Sequence, residues 1–272
     1  MTVVDAHVHV WELSVRDQGW IPAGSPLRRD FTVPELTARA REAAVERAVL
    51  VQTVTVPEET PELLALAAGH DLVAGVVGWT DLTAPGVADE LARLRELPGG
   101  RYLKGIRHQV QEEPDPRWLL RADVRRGLAA VAEAGLAYDL VVRPRQLPAC
   151  AEAAAALPGL TFVLDHAGKP PVASGALEPW ATGLRALAAL PNTVCKLSGL
   201  LTEADPASWA VDDLRPFADT VLDAFGPHRL MFGSDWPVCT PLASYADVLA
   251  VTRMLADGDE FLSGTARRVY DL

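Results

Sequence analysis

Short runs rich in valine, isoleucine and leucine alternate with alanine- and leucine-rich stretches along the whole chain. Eight runs read as strands: TVVDAHVHV, RAVLVQTV, LVAGVVGW, YLKGIRH, LAYDLVV, LTFVLDH, NTVCKLSG and RLMFGSD. Between them lie stretches with helical spacing of apolar positions, among them TPELLALAAG, GVADELARLREL, VRRGLAAVAEAG and LRPFADTVLDAFG. The last strand is followed by ASYADVLAVTRMLA and a short terminal helix, EFLSGTARRVYD. Helix punctuation agrees with this division: Pro34 falls in a first turn after Thr32, Pro61 follows Thr60, and Gly135 closes a helix ending at Glu133–Ala134. Eight strand–helix units of about 30 residues predict a (β/α)8 barrel. A doubly wound open sheet needs a glycine-rich turn after its first strand, and this chain has DAHVHVWEL there. No linker, low-complexity tract or shift in composition divides the chain, so residues 1–272 are expected to form one barrel domain.

The first strand departs from plain packing. Strict alternation places Asp5, His7 and His9 on one face and Val4, Ala6, Val8 and Val10 on the other. The apolar face is expected to pack against helices. The polar face is costly to bury unless its groups are partnered. In (β/α)8 barrels reactive groups sit at the C-terminal ends of the strands, and the polar residues of this chain gather there. His7 and His9 end strand 1, Gln52 ends strand 2, and Arg107 and His108 end strand 4. Asp165 and His166 end strand 6 with Lys169 just beyond, Lys196 and Ser198 end strand 7, and Asp235 ends strand 8. Asp165, on the opposite parity to His166, is expected to pair outward. His70 and His228 read as ordinary surface or loop residues. Trp11, Trp20, Trp79 and Trp236 lie near strand ends and suit an apolar-walled pocket with a few convergent polar groups.

A formal charge of −11 disfavours nucleic acid and anionic membranes as partners. A small molecule remains, and Arg107, Lys169 and Lys196, with Arg29 and Arg143, are expected to make the pocket mouth locally positive. No apolar run approaches the roughly 20 residues that span a bilayer, and no signal-peptide pattern opens the chain, so the expected location is cytoplasmic, as a monomer or homodimer. Cys150, Cys195 and Cys239 lie far apart without CxxC spacing and read as buried thiols.

The segments DAHVHVW, VLVQTV, KGIRH, LVVRPRQLP, DHAGKP, CKLSGL, MFGSDWPV and GTARRVYDL, in this order over almost the full chain, resemble the amidohydrolase superfamily. More narrowly they resemble its lactonase branch, related to sugar-acid and pyrone-dicarboxylate lactonases. Small departures fall at Ala167 and at Gly264–Thr265. The resemblance implies a distorted (β/α)8 barrel that opens a cyclic ester, a sugar-acid lactone or a carboxylated ring lactone. It makes Asp235 the residue that activates water and His166 and His108 its catalytic companions. Arg107 and His108 match a segment tied to substrate recognition or carbonyl polarisation, and Gln52, Trp11, Lys169 and Trp236 complete the expected substrate contacts. Binuclear members use a further strand-5 histidine and a bridging strand-4 residue; LAYDLVVRP has no histidine, leaving Lys104 without its companion. A single divalent ion, zinc or manganese, fits His7, His9, Asp235 and His166, and metal-free catalysis stays open. The rival readings are a zinc-dependent decarboxylase of the same superfamily and a binder that has lost turnover.

Overall fold

The computed structural model describes residues 2–272. Its eight strands are β1 (Val3–Val8), β2 (Val45–Val51), β3 (Val73–Gly78), β4 (Leu103–His108), β5 (Ala137–Leu140), β6 (Phe162–Leu164), β7 (Thr193–Leu197) and β8 (Leu230–Phe232). They pair in parallel, each with the next in sequence. The ring closes where Asp235 N donates to His7 O at 2.9 Å and His9 N donates to Trp236 O at 2.7 Å. Around it run α1 (Val33–Glu42), α2 (Glu59–Gly69), α3 (Val87–Glu96), α4 (Ala122–Glu133), α5 (Leu147–Ala156), α6 (Trp180–Ala188), α7 (Val211–Phe225) and α8 (Tyr245–Leu255), followed by α9 (Thr265–Tyr270). The single (β/α)8 barrel expected from the alternation is therefore present. The punctuation works as read: the Thr32 hydroxyl caps α1, and Gly135, with φ of 65°, ends the turn after α4. All three cysteines are buried free thiols.

Two apolar layers hold the barrel. The larger lies between strands and helices. The smaller fills the lower lumen with Val4, Ala6, Val49, Val77, Val163 and Met231, packed against α9, whose Tyr270 is almost wholly buried. This reverses part of the expectation for β1. Val4 and Ala6 face the lumen instead of the helices, while Asp5 turns outward to α8, where it accepts the Tyr245 hydroxyl at 2.7 Å. The cause is a bulge. Asp5 pairs with Ala48 and Val8 with Leu50, so three steps along β1 match two along β2. The extra residue breaks the alternation and brings His7 and His9 inward without Asp5. Asp5 then serves as a clasp, its Oδ1 accepting the backbone N–H groups of His7 and Ser234, each at 3.0 Å.

Among the described residues no helix is long and apolar enough to cross a membrane.

Candidate active site

Four side chains converge at the C-terminal rim. His9 Nε2, His7 Nε2 and His166 Nε2 lie 3.4, 3.8 and 3.9 Å from Asp235 Oδ1, and His7 Nε2 is 3.1 Å from His9 Nε2. Each is fixed from behind. The His9 Nδ1–H donates to Val51 O at 2.7 Å, which turns its Nε2 inward. His166 Nδ1 meets Ser198 Oγ at 2.9 Å. Backbone geometry does the aiming: His166, Ala167, Lys169 and Asp235 all have φ between 50° and 59°. Such left-handed positions cost a non-glycine residue roughly 1–2 kcal/mol each, and they cluster where chemistry demands an unusual direction. Close approach explains two glycines. A Cβ on Gly199 would lie 2.7 Å from His166 Nδ1, and one on Gly233 would lie 2.8 Å from His7 Cβ.

Beneath these groups lies a buried ionic layer. Lys196 Nζ contacts Asp139 Oδ2 at 2.6 Å and Asp165 Oδ1 at 3.0 Å, and Arg107 Nη1 donates to Asp165 Oδ2 at 2.9 Å. Two cations thus face two carboxylates inside the lumen, and one expectation is overturned: Asp165 points inward. It shares the parity of lumen-facing Val163, while His166 reaches the same side only through its left-handed turn. Lys196 is likewise no mouth cation; it is fully buried. Burial pushes the Asp165 carboxyl up, but Lys196, His7 and Arg107 outweigh it and hold the group ionised.

Above the layer opens a cavity of about 520 Å³, lined among others by His9, Trp20, Arg107, His166, Lys169 and Asp235. Its wall also carries Thr53, Gln109 and Gln111. The cavity therefore receives several of the expected residues, but not all. His108 is stacked on Trp118 with ring centroids 4.3 Å apart, accepts the Trp79 indole N–H at 3.0 Å and meets Glu113 at 2.7 Å, and it does not line the cavity. Gln52 lies behind Arg107, its Oε1 accepting from Nε at 3.1 Å and from Nη2 at 2.9 Å. The guanidinium fork is filled by Gln52, so a bidentate clamp on a substrate carboxylate does not form, and Arg107 addresses the cavity through Nη1. Trp236 is buried against Phe31, with ring centroids 5.5 Å apart. Trp11 lines a neighbouring groove of about 610 Å³ instead, while Trp20, 45% exposed, supplies the aromatic wall. Of the other expected mouth cations, Arg29 is bound to Glu35 at 2.8 Å and Arg143 lies 3.7 Å from Glu112 at the surface. Lys104 lies at the opposite end of the barrel, donating to Asp271 O at 2.7 Å.

Sequence reasoning passed over Asp139, Tyr270 and Glu59. Glu59 is buried and accepts the N–H groups of Thr53 and Val54 at 2.8 and 3.1 Å, shaping the loop after β2. Asp139 carried a usable signal: it is the one charged residue in the strand LAYDLVV.

The donor set fits a single divalent ion. Atoms of His7, His166 and Asp235 lie within 4.8 Å of one another, and the inward Nε2 of His9 adjoins them, 3.4 Å from Asp235 Oδ1. Imidazole nitrogen with carboxylate oxygen is a set that zinc and manganese accept. A neighbouring carboxylate supports the fit: Asp165 Oδ1, which also meets Lys196 Nζ at 3.0 Å, lies 3.3 Å from His7 Nδ1. A ligating His7 must carry its proton on Nδ1, and metal-bound histidines direct that N–H to such an acceptor. Burial lowers His7 well below its usual range and His166 to about 4, so both rings are neutral near pH 7. Burial raises Asp235, but the surrounding histidines outweigh it and keep the carboxyl ionised.

The depressed His166 has a consequence for stability. An unfolded histidine takes up its proton near 6.5, before the folded one does at about 4. Below pH 6.5 the unfolded state therefore binds more protons, and stability falls as pH drops through that window. Urea midpoints of metal-free protein should be lower at pH 5 than at pH 7; equal midpoints would contradict a buried neutral His166.

A closed parallel barrel with histidines and one ionised aspartate at its C-terminal rim defines a hydrolytic (β/α)8 centre suited to one divalent ion. The chain belongs to the amidohydrolase family, which it matches over residues 4–272. An L-fucono-1,5-lactonase of Burkholderia multivorans is 42% identical, with 99% of this chain and 96% of the relative covered. A second L-fucono-1,5-lactonase, from Burkholderia ambifaria, is 40% identical and covers 90% of this chain and 83% of its own. A crystal structure of a Burkholderia multivorans amidohydrolase with bound zinc superimposes with a TM-score of 0.93 at 41% identity, covering all of both chains.

Proposed function

We propose that the protein is a lactonase that opens the ring ester of a sugar-acid lactone. The observation that carries this reading is the convergence of Asp235 with His9 and His166 on the floor of a cavity whose walls are polar enough for a polyol, with His7 buried directly behind them. The L-fucono-1,5-lactonase relatives support the substrate class, and L-fucono-1,5-lactone is the first compound to test. In the proposed reaction Asp235 takes a proton from water as the water oxygen attacks the lactone carbonyl. Arg107 Nη1 faces the centre, 3.3 Å from His7 Nε2, and aids the charge developing on the carbonyl oxygen. Collapse breaks the bond to the ring oxygen, which takes the proton back from Asp235, and a hydroxy acid leaves. A divalent ion held by His7, His9, His166 and Asp235 supplies Lewis-acid polarisation and a more acidic water when bound. Strand 5 lacks the histidine expected of the rival decarboxylases, and its one charged residue, Asp139, is committed to the ionic layer, which disfavours the lyase reading.

The decisive experiment is an acid-release screen over sugar-acid lactones, with carbon dioxide followed in parallel. Acid without carbon dioxide is expected; carbon dioxide release, or binding without turnover across the panel, would overturn the proposal. Exhaustive chelation should lower the rate, and zinc or manganese should restore it, with metal content followed by elemental analysis. Full activity in metal-free protein would assign all carbonyl polarisation to Arg107 and the imidazoles. Lys169 projects from its left-handed turn into the cavity, 4.0 Å from Glu203. The variant Lys169→Met should raise KM for hydroxylated lactones with kcat little changed, as expected for a group that binds ground and transition states alike. An unchanged KM would remove Lys169 from substrate binding.

A further inference from the structure

Beyond Arg107 the cavity wall is built from amides, and an amide has two unlike ends, an oxygen that accepts and a nitrogen that donates. Their orientation is settled by a chain that begins at a group with no choice, because the Arg107 guanidinium carries donors only. Gln52 must turn its Oε1 to Arg107 Nε and Nη2, at 3.1 and 2.9 Å, and its Nε2 is left to donate to Val54 O at 3.1 Å. Gln52 Oε1 also meets Gln109, so Gln109 must offer Nε2, at 3.1 Å, and the same nitrogen reaches Thr53 O at 3.3 Å. Two acceptors on one side leave Gln109 Oε1 on the other, where Gln111 Nε2 donates to it at 3.4 Å.

The chain ends on Gln111 Oε1. This oxygen is buried and has no hydrogen-bond partner. Among the described residues it is the one such atom that belongs to a residue lining the cavity above the ionic layer. Backbone holds it there: the turn Val110–Glu112 comes just after β4, Val110 is buried, and Gln111 N donates to Val141 O at 3.0 Å. Leaving a buried acceptor unpaired costs more than an ordinary hydrogen bond contributes. Flipping the amide gives no relief, since it would set Gln111 Oε1 against Gln109 Oε1. Gln111 therefore lacks only a donor, and a molecule bound in the cavity can bring one. An ionised carboxylate cannot, because it offers acceptors alone, and Glu112 in the same wall repels it. A hydroxyl can.

We propose that Gln111 is a specificity-determining residue, whose Oε1 accepts a hydrogen bond from a hydroxyl of the bound lactone, and that Gln109 is the positioning residue that holds it in this sense. The inference rests on the lactonase reading and narrows it: the wall ends on an acceptor, so the site selects a neutral polyhydroxylated lactone over a carboxylated ring lactone. Arg107 thus has two effects. Its Nη1 addresses the reactive centre, while Nε and Nη2 set the polarity of the amides that read the rest of the substrate.

The test uses a panel: the hexonic acid lactone that wild type opens best, its analogues with each hydroxyl in turn replaced by hydrogen, and a ring lactone bearing a carboxylate. Wild type is compared with Gln111→Met and Gln109→Leu, with a thermal melt for each. Gln111→Met removes a side chain that donates one hydrogen bond, so it remains informative should Gln109→Leu fail to fold. Expected for Gln111→Met is a KM about 10-fold higher for the parent lactone, the scale of one lost hydrogen bond that strands its partner, with kcat little changed. One deoxy analogue should show the same rise already with wild type and no further rise with Gln111→Met, which marks the hydroxyl that Oε1 reads. Gln109→Leu should give the same pattern. The carboxylated lactone should be a poorer substrate than the parent for wild type, and Gln111→Met should narrow the gap. An unchanged KM in Gln111→Met, or an equal rise for the parent and every analogue, would overturn the proposal, as would a carboxylated lactone opened by wild type as efficiently as the parent. If wild type opens no lactone, the lactonase reading fails alone, and calorimetric binding of a hexonic acid lactone and its analogues decides the inference. Tighter binding of the parent than of one analogue, lost in Gln111→Met, upholds it; equal binding or none overturns it.

Discussion

Asp235→Asn should lose about 10²- to 10⁴-fold in kcat for lactone hydrolysis, the usual worth of a positioned general base. The substitution preserves shape but removes the negative charge that lies 3.4 to 3.9 Å from three imidazole nitrogens. Asparagine cannot take the proton from water or return it to the ring oxygen. The backbone should tolerate the change, because asparagine, like aspartate, accepts the left-handed conformation found at this position, φ of 59°. The His7 O to Asp235 N hydrogen bond that closes the barrel is made by backbone and is kept. The expected result is a folded, nearly inactive protein, measured as initial rates of acid release beside a thermal melt. A variant within tenfold of wild type would take Asp235 out of the reaction.

The largest effect on stability is expected from Asp165→Ala. This carboxylate is fully buried and is shared by Arg107 at 2.9 Å and Lys196 at 3.0 Å. Removing it leaves two buried cations with Asp139 as the remaining carboxylate of the layer. Deleting one partner of a buried ion pair typically costs about 3–5 kcal/mol, because the stranded charge keeps its desolvation penalty and loses its compensation. A shift of that size should appear in urea unfolding as a lower midpoint at unchanged slope. If the midpoint moved by less than the equivalent of about 1 kcal/mol, the range of an exposed pair, water or rearrangement would be satisfying the cations, and the layer would not be the tightly matched unit described above.

Asp165 also shows where sequence reasoning goes wrong in a barrel. Alternation from His166 puts it outside, but His166 has left the strand and sits in a left-handed turn. Counted from Val163, which faces the lumen, the same rule places Asp165 inside. The error in β1 has the same origin. A single bulge between Asp5 and Val8 moves Val4 and Ala6 into the lumen and Asp5 out to α8. Parity is reliable only within an unbroken strand, and reactive groups lie where strands are broken. Trp11, Trp236 and His108 failed to reach the cavity for a related reason. Proximity to a strand end along the chain does not say which wall a large ring faces, and these rings are held by Phe31, Trp79 and Trp118.

The sequence by itself determined the barrel, its single-domain extent and the strand ends from which His7, His9, His166 and Asp235 project. Periodicity and punctuation are local properties, and eight repeats of them leave few closed arrangements. Only the tertiary structure decided that Lys196 is buried under His7, that Gln52 fills the fork of Arg107, and that Tyr270 reaches Asp139 from the far end of the chain. Those contacts join residues 55 to 189 positions apart. No local pattern encodes such pairs; burial of charge in the lumen forces each group to find its partner in space.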